Sequence, residues 1–142
     1  MIKSVSKKMG IPEGIRGILV NAPEDAVKAI ELPGIEVAST LTGQFDYIHL
    51  FVKTQDKFSE QFPKLKTHLA PKGILWVSWP KNRQLGTDLN IKKVIELGYD
   101  FGLVESTCLS IDKTWSALKF THPKEGKIYK NSYGRLPPKQ RE

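Results

Sequence analysis

The sequence is poor in cysteine, in acidic residues and in long apolar runs. Its single cysteine, Cys108, cannot form a disulfide within the chain, and no cysteine framework of a small secreted protein is present. No apolar run approaches the ~20 residues that cross a bilayer, so we expect no membrane association. Residues 1–8 carry positive charge, but no apolar signal region follows them. These scarcities argue against secreted and membrane-spanning classes and favour a cytoplasmic protein.

The shortage of acidic residues is confined to the two ends of the chain. The net charge is +7, of which residues 1–16 contribute +3 and residues 122–142 contribute +4. Residues 17–121 carry twelve charges of each sign and are neutral. A folded nucleic-acid-binding domain usually has a basic face on its body. The ends are therefore interpreted first as solvated, partly mobile segments and second as anion-binding arms.

The C-terminal end keeps a nucleic-acid partner open as an alternative. Tyr129 and Tyr133 are interleaved with Lys127, Lys130 and Arg135. Aromatic rings among cations can stack on the bases of a single strand. A disordered basic tail explains the same composition equally well.

Length and composition indicate one domain. A chain of 142 residues, of which 39% are apolar and 26% charged, can bury a core without disulfides. We assign residues 1–122 to this domain, with residues 1–16 as a loose lead-in. Residues 123–142 are expected to form a basic extended tail.

Strands and helices are predicted to alternate through most of the domain. Short apolar runs are typical of strands buried in a parallel sheet. Four of them lie at residues 17–20, 35–39, 46–52 and 74–79. Apolar residues at spacings of three and four predict helices between the runs, at about 22–30 and 57–69. Pro63 marks either a kink in the second helix or its true start.

The last part of the domain follows a different pattern. Thr87 or Asp88 is predicted to cap a helix, because a side-chain oxygen there can accept a free backbone N–H. Two further strands, at 104–111 and 115–121, are separated by three residues only. So short a link permits an antiparallel hairpin and excludes a parallel crossover.

Two segments resemble the Rossmann-like fold of S-adenosylmethionine-dependent methyltransferases. The pair Phe45-Asp46 is similar to the aromatic-Asp pair that opens a strand in that family. Leu-Ala-Pro-Lys-Gly at residues 69–73 is similar to the family's Leu-x-Pro-Gly-Gly turn before a later strand. The resemblance implies a three-layer α/β fold with about six strands, mostly parallel, that ends in an antiparallel hairpin.

A longer stretch, from about Lys7 to Phe120, resembles a small bacterial family that is described only as a domain of unknown function. Five segments support this resemblance, and it implies the fold but no chemistry. They lie at residues 20–24, 31–34, 75–81, 87–89 and 113–120.

The sequence departs from the methyltransferase pattern in the order of its strands. Six residues, 40–45, separate the second strand from Asp46, which is too few for a further strand and helix. If the other strands keep their places, the sheet order becomes 2-1-3-4-6-5. The crevice would then lie between strands 1 and 3, at their carboxyl ends, where the order reverses.

The loop after the first strand departs as well. Asn-Ala-Pro-Glu-Asp at residues 21–25 contains no glycine, whereas a glycine-rich loop lets the backbone approach a cofactor closely. Pro23 also removes one N–H donor, and Glu24 and Asp25 oppose a phosphate there. The family's acidic residue for the ribose is replaced by Ser39-Thr40. We therefore predict a degenerate cofactor site and no bound cofactor, with S-adenosylmethionine as the open alternative.

Polar and aromatic residues near the strand ends are the candidate ligand site. Lys53, Lys81 and Arg83 follow strands 3 and 4 and would converge on a carboxylate or phosphate through charge-assisted hydrogen bonds. Solvated side chains remain the alternative for these cations. The whole candidate crevice consists of Asn21, Thr40, Lys53, Trp79, Lys81 and Arg83.

No catalytic constellation is predicted. Asp46 and His49 invite a triad with Ser78, but residues three apart on a strand point to opposite faces. The three histidines are scattered, so no metal site is expected. Cys108 is expected to be a small buried residue within a strand.

Three functional hypotheses follow. The first is a non-catalytic protein that binds a small anionic ligand or a protein partner in the strand-end crevice. The alternative is an atypical S-adenosylmethionine-dependent methyltransferase, and the second alternative is a nucleic-acid-associated protein that acts through its basic termini. A homodimer through the exposed hairpin edge is open in each case.

Overall fold

The computed structural model of the protein describes residues 3–137. Residues 1–2 and 138–142, which belong to the predicted lead-in and tail, lie outside the described part. Helices and strands follow one another along the chain, and a loop at Lys81–Gly86, in which Asn82, Arg83 and Leu85 have left-handed φ, precedes the last helix. In order they are α1 (Val5–Met9), β1 (Arg16–Val20), α2 (Glu24–Ile30), β2 (Glu36–Val37), β3 (Phe45–Phe51), α3 (Gln55–Lys66), β4 (Leu69–Pro80), α4 (Ile91–Asp100), β5 (Val104–Ser110) and β6 (Trp115–Thr121).

The strands form one six-stranded sheet in the order β2-β1-β3-β4-β6-β5. The pairs β1–β2, β1–β3 and β3–β4 are parallel, and β6 is antiparallel to both β4 and β5. The predicted fold class and strand order are therefore confirmed. The short link between β5 and β6 dictates the antiparallel pair, because a parallel strand would need a crossover of a dozen or more residues.

Helices cover both faces of the sheet and give two buried clusters. On one face α1 and α2 bury Met9, Ala26 and Ile30 against the sheet. On the other face α3 and α4 bury a larger apolar set that includes Phe58 and Val94. No helix between residues 3 and 137 combines the length and the apolar character needed to cross a membrane.

Several predicted boundaries were wrong at the ends of elements. The second strand is only Glu36–Val37, because it pairs with β1 through two residues at the sheet edge. The last helix begins at Ile91, and its cap is Asn90, whose side chain accepts the N–H of Lys93. The predicted cap residues have other partners, which are described with the site below.

β4 is longer than predicted, and α3 begins two residues earlier and ends three residues earlier than predicted. β4 begins at Leu69, and its register against β3 shifts between Phe45 and Tyr47, so residues 70–73 leave the ladder before it resumes at Ile74. α3 runs through Pro63 from its cap Thr54, whose hydroxyl accepts the N–H of Lys57 at 3.2 Å. Pro63 therefore lies inside the helix and does not start it.

The two basic ends, as far as they are described, pack against the domain. In the lead-in, Met9 is fully buried and Ile11 nearly so. At the other end, residues 123–137 form no helix or strand, but Tyr129 and Leu136 pack against the core on the α4 side. The interpretation of the ends as loose, solvated segments stays a prediction: most residues between 123 and 137 are exposed, while Tyr129 and Leu136 cover apolar surface.

Gly98 permits the close packing of α4 on β6. A Cβ added at this residue would come within 2.1 Å of the Phe120 ring. We expect Gly98→Ala to lower the free energy of unfolding by about 1–3 kcal/mol, as overpacking of a core does. Urea denaturation monitored by circular dichroism measures this loss.

Glu96→Ala on the exposed side of α4 is the matched control and should change stability by no more than about 0.5 kcal/mol. Equal midpoints for Gly98→Ala and the unmodified protein would contradict the packing that the structure describes.

Candidate functional site

A cleft of about 750 Å³ lies above the carboxyl ends of β1 and β3, where the strand order reverses. β1 continues to β2 on one side through α2, and β3 continues to β4 on the other through α3. The two helices consequently cover opposite faces and leave a gap between their first turns. We call it the switch-point cleft; its lining includes Asn21, Pro23, Asp25, Phe51, Lys53, Thr54, Lys57, Gln61, Asp112 and Trp115.

Asn21 provides the tight turn that a glycine would otherwise supply after β1. Its φ is 59°, in the left-handed region, which asparagine adopts more readily than most residues. Its side-chain amide donates hydrogen bonds to the carbonyl of Phe51 at 3.3 Å and to Oε1 of Gln61 at 3.0 Å. Asn21 thereby links β1, β3 and α3 at the edge of the cleft.

Charges of both signs line the switch-point cleft. Lys53 lines it just before α3, Lys57 lines it from the first turn with its ammonium 3.4 Å from Glu60, and Asp25 lines it from α2. Asp112 comes from the β5–β6 link, where its Oδ1 accepts the N–H groups of Thr114 and Trp115, both at 2.8 Å. The lining can therefore meet a ligand that carries separated positive and negative groups.

Aromatic rings form the floor of this cleft. The Phe51 ring is 2% exposed and meets the Trp115 ring edge-on, with centroids 5.2 Å apart. On its other side Phe51 stacks on the imidazole of His49, at 4.3 Å and an interplanar angle of 16°. The floor consequently consists of Trp115 and Phe51, and His49 lies beneath Phe51 on the side away from the cleft.

A fully buried chain of hydrogen bonds holds His49 in place. Nδ1 lies 2.6 Å from the Tyr47 hydroxyl, and Nε2 lies 2.7 Å from the Ser78 hydroxyl. Burial lowers the pKa of His49 to about 3 and raises that of Tyr47, so both groups stay neutral at ordinary pH. Because both ring nitrogens have partners, the imidazole cannot rotate under Phe51.

Only one hydrogen-bond partner of His49 among the described residues belongs to the Asp46–His49–Ser78 triad considered from the sequence. His49 and Ser78 do meet, but the third partner is Tyr47, which shares the His49 face of β3. Asp46 is exposed and accepts the backbone N–H of Arg16 at 3.3 Å. Since His49 is fully buried below Phe51, it does not touch the cleft, and its role is to support the floor.

A second cleft, of about 820 Å³, lies between the end of β4 and the first turn of α4. We call it the α4 cleft; its lining includes Trp79, Lys81, Arg83, Asn90, Ile91, Cys108 and Ser116. A wall formed by two hydrogen bonds between distant parts of the chain divides it from the switch-point cleft. In that wall the Thr87 hydroxyl donates to the carbonyl of Lys53, and Oδ1 of Asp88 accepts the N–H of Gln55 at 2.8 Å.

The structure divides the candidate crevice residues between the two clefts. Asn21 and Lys53 line the switch-point cleft. Trp79, Lys81 and Arg83 line the α4 cleft, and Thr40 is in the lining of neither. The Lys81 ammonium is also committed to the hairpin, where it donates to Ser110 Oγ and to the carbonyl of Asp112. That the six candidate crevice residues bind a ligand stays a prediction.

Sequence reasoning missed Asp25, Asp112, Phe51 and Trp115. One signal was available for Asp112 and Trp115: in a hairpin antiparallel to β4, the link before β6 must return to the carboxyl edge of the parallel strands. Cys108 was also misplaced. It is exposed in the α4 cleft, because a register shift between Glu105 and Cys108 interrupts the β5–β6 ladder.

Comparison with known proteins supports the fold through structure alone. No protein-family model matches the sequence, and no curated protein does. The resemblance to the small bacterial family of unknown function thus stays a prediction.

Several solved structures with a similar fold are methyltransferases. Ribosomal protein L11 methylase from Lactobacillus delbrueckii subsp. bulgaricus is 12% identical, with a TM-score of 0.54 over 84% of this chain and 75% of that one. A TehB-like SAM-dependent methyltransferase from Corynebacterium glutamicum is 12% identical, with a TM-score of 0.55 over 87% and 89%. Magnesium protoporphyrin IX methyltransferase from Synechocystis, with bound SAH, is 11% identical, with a TM-score of 0.54 over 84% and 78%.

These similarities establish a Rossmann-like fold of the methyltransferase type. They also correct the leading functional hypothesis from the sequence. The prediction of a non-catalytic binding protein is contradicted, because several of the similar structures are methyltransferases, and one of them is seen with S-adenosylhomocysteine bound. The findings favour the methyltransferase alternative.

The buried imidazole makes stability depend on pH in a defined direction. The pKa of His49 is about 3 in the folded protein and 6.5 for an ordinary histidine, so between these values the unfolded chain binds a proton that the folded protein does not. The free energy of unfolding should therefore fall as pH decreases from about 6.5, by up to about 1.4 kcal/mol per pH unit from this residue. His49→Gln, which can hydrogen-bond but does not titrate, should flatten the dependence seen in urea denaturation at pH 7.5, 6 and 5.

Tyr47→Phe is the control for this measurement. It removes one hydrogen bond and leaves the imidazole in place, so stability should drop by about 1–3 kcal/mol while the pH dependence persists. The same slope in His49→Gln and the unmodified protein would refute the assignment to His49.

Proposed function

We propose that the protein is an S-adenosylmethionine-dependent methyltransferase whose methyl donor binds in the switch-point cleft. One observation carries this proposal: the cleft lies where the strand order reverses and combines an aromatic floor with charges of both signs. The structural likeness to methyltransferases supports it at the level of the fold.

The charges of the lining suit the charges of this donor. S-adenosylmethionine carries a carboxylate, an ammonium and a sulfonium. Lys53 and Lys57 can bind the carboxylate through charge-assisted hydrogen bonds, and Asp25 and Asp112 can bind the ammonium or the ribose hydroxyls. A ligand with a single charge would satisfy only half of this set.

The aromatic floor suits the remaining parts of the donor. Phe51 and Trp115, which are 2% and 6% exposed, give the cleft an apolar floor on which the adenine can rest. Since His49 beneath them stays neutral, no buried positive charge opposes a cationic ligand. A charged imidazolium in the same place would repel it.

The site differs from the expected family pattern in where its polar groups come from. Pro23 contributes no N–H, and the end of β2 has no acidic side chain. Asn21 takes the left-handed turn position, while Asp25 and Asp112 provide carboxylates from α2 and the β5–β6 link. On this proposal the polar groups that hold the cofactor come from α2 and the β5–β6 link and not from the positions of the family pattern.

The main role of the protein in this reaction is to position the donor and the acceptor. When bound, the donor supplies a methyl group whose bond to sulfur breaks with its electron pair on sulfur, as an acceptor lone pair forms the new bond and the acceptor's proton passes to solvent. Phe51 and Trp115 exclude water from below, and Lys53 and Asp25 orient the ends of the ligand.

Titration calorimetry with S-adenosylmethionine and S-adenosylhomocysteine tests the proposal. Both should bind the full-length protein, and Lys53→Gln should weaken binding about tenfold or more, because a charge-assisted hydrogen bond contributes about 1.5–3 kcal/mol. Lys64→Gln, an exposed residue of α3 outside both cleft linings, is the matched control and should bind normally. Neither heat nor thermal stabilisation from either compound at millimolar concentration would refute the proposal.

A further inference from the structure

The basic C-terminal segment, residues 123–137, is fastened to the outer side of α4 and β5. Asn131 donates from Nδ2 to Oε1 of Glu105 at 2.7 Å. Gly134 lies so close to Tyr99 that an added Cβ would come within 2.7 Å of that side chain. Tyr129 and Leu136 pack against the core beside these contacts. The segment thus has a defined course across the domain.

The cations of the segment face outward along this course. Lys127, Lys130 and Arg135 are exposed and have no ion pair with any residue between 3 and 137. The Tyr133 ring is 46% exposed and lies 5.3 Å from the ammonium of Lys92, in the first turn of α4. An ordered row of positive charge therefore passes a half-exposed aromatic ring.

Two acidic groups near this row are already engaged, and Glu125, within the segment itself, is exposed. Glu105 accepts from Asn131 and, at 3.4 Å, from the Tyr99 hydroxyl. Glu96 pairs with Lys93 at 3.0 Å. Because residues 17–121 are neutral as a whole, the domain does not offset the charge of the segment. The positive charge remains available for an external anion.

The row ends at the α4 cleft. Asn90 and Ile91, which precede Lys92 in the chain, line that cleft, and Arg83 lines it as well. The Arg83 guanidinium makes no hydrogen bond or ion pair with the described residues 3–137. Arg83 is exposed, and its backbone has a left-handed φ of 60°. A polyanion that follows the segment would reach the cleft past Lys92 and Arg83.

We propose that residues 123–137, Lys92 and the α4 cleft bind single-stranded nucleic acid. This binding surface goes beyond the proposed function and does not depend on it. Lys127, Lys130 and Arg135 contact phosphates, the Tyr133 ring stacks on a base, and the cleft of about 820 Å³ has room for an extruded base. The exposed ring favours a nucleic acid over an acidic peptide, which has few aromatic faces to stack.

Fluorescence anisotropy with a labelled single-stranded RNA of mixed sequence, and with the DNA of the same sequence, tests the proposal on the full chain. Binding should weaken with salt. The triple variant Lys127→Gln/Lys130→Gln/Arg135→Gln should reduce the slope of log K against log salt by about 2, because each phosphate contact to a single strand contributes about 0.7. A preference between the two probes identifies the natural strand. Tyr133→Ala should weaken binding about tenfold with the slope unchanged, since a stacked base contributes about 1–3 kcal/mol.

The matched control is Lys7→Gln/Lys8→Gln/Lys28→Gln, which removes three exposed cations from α1 and α2 on the opposite face of the sheet. It should bind both probes as the unmodified protein does. Equal loss in the control and in the C-terminal triple variant, or displacement of the RNA by poly-glutamate at matched charge, would overturn the proposal. S-adenosylmethionine binding by the C-terminal triple variant should be unchanged, so failure of this surface and failure of the methyl-donor site can be told apart.

Discussion

The parallel pairing of β1 with β3 is the constraint on which the rest of the molecule depends. Gly17 to Val20 pair with Tyr47 to Leu50, so both strands end at the same edge of the sheet. Their connections leave in opposite directions, and right-handed crossovers then place α2 and α3 on opposite faces. The gap between the two helix starts is the switch-point cleft. The cleft thus follows from topology and exists whichever residues form the turn after β1.

The same pairing determines what lies beneath the cleft. Tyr47, His49 and Phe51 alternate along β3 and share one face, and Ser78 on β4 completes the hydrogen bonds of the imidazole. Polar groups this deep in the sheet are costly unless each has a partner, and these do. The result is a rigid, uncharged support for Phe51 and Trp115. A sheet face that would otherwise be plain hydrophobic core therefore gives the cleft a fixed aromatic floor.

Much of the fold could be predicted because its signals are local. The apolar runs and the three-residue link before β6 depend on neighbours in the chain, and both were interpreted correctly. The helix cap at Asn90 was missed because Thr87 and Asp88 are equally suitable caps by type. Their side chains instead bond to Lys53 and Gln55, which are more than thirty residues away. The candidate site was divided between two clefts for the same reason, since that wall is formed by contacts distant in sequence.

The sequence by itself determined the order of the elements, the parallel and antiparallel connections and the point at which the strand order reverses. These follow from periodicity and link length, which are properties of short stretches. Only the tertiary structure decided that Asp25 and Asp112 face one cleft, that Tyr47 rather than Asp46 is the partner of His49, and that residues 123–137 are held against α4. Each of these depends on the register between strands and on side-chain direction, and a shift of one residue in a strand would reverse the face on which a group lies.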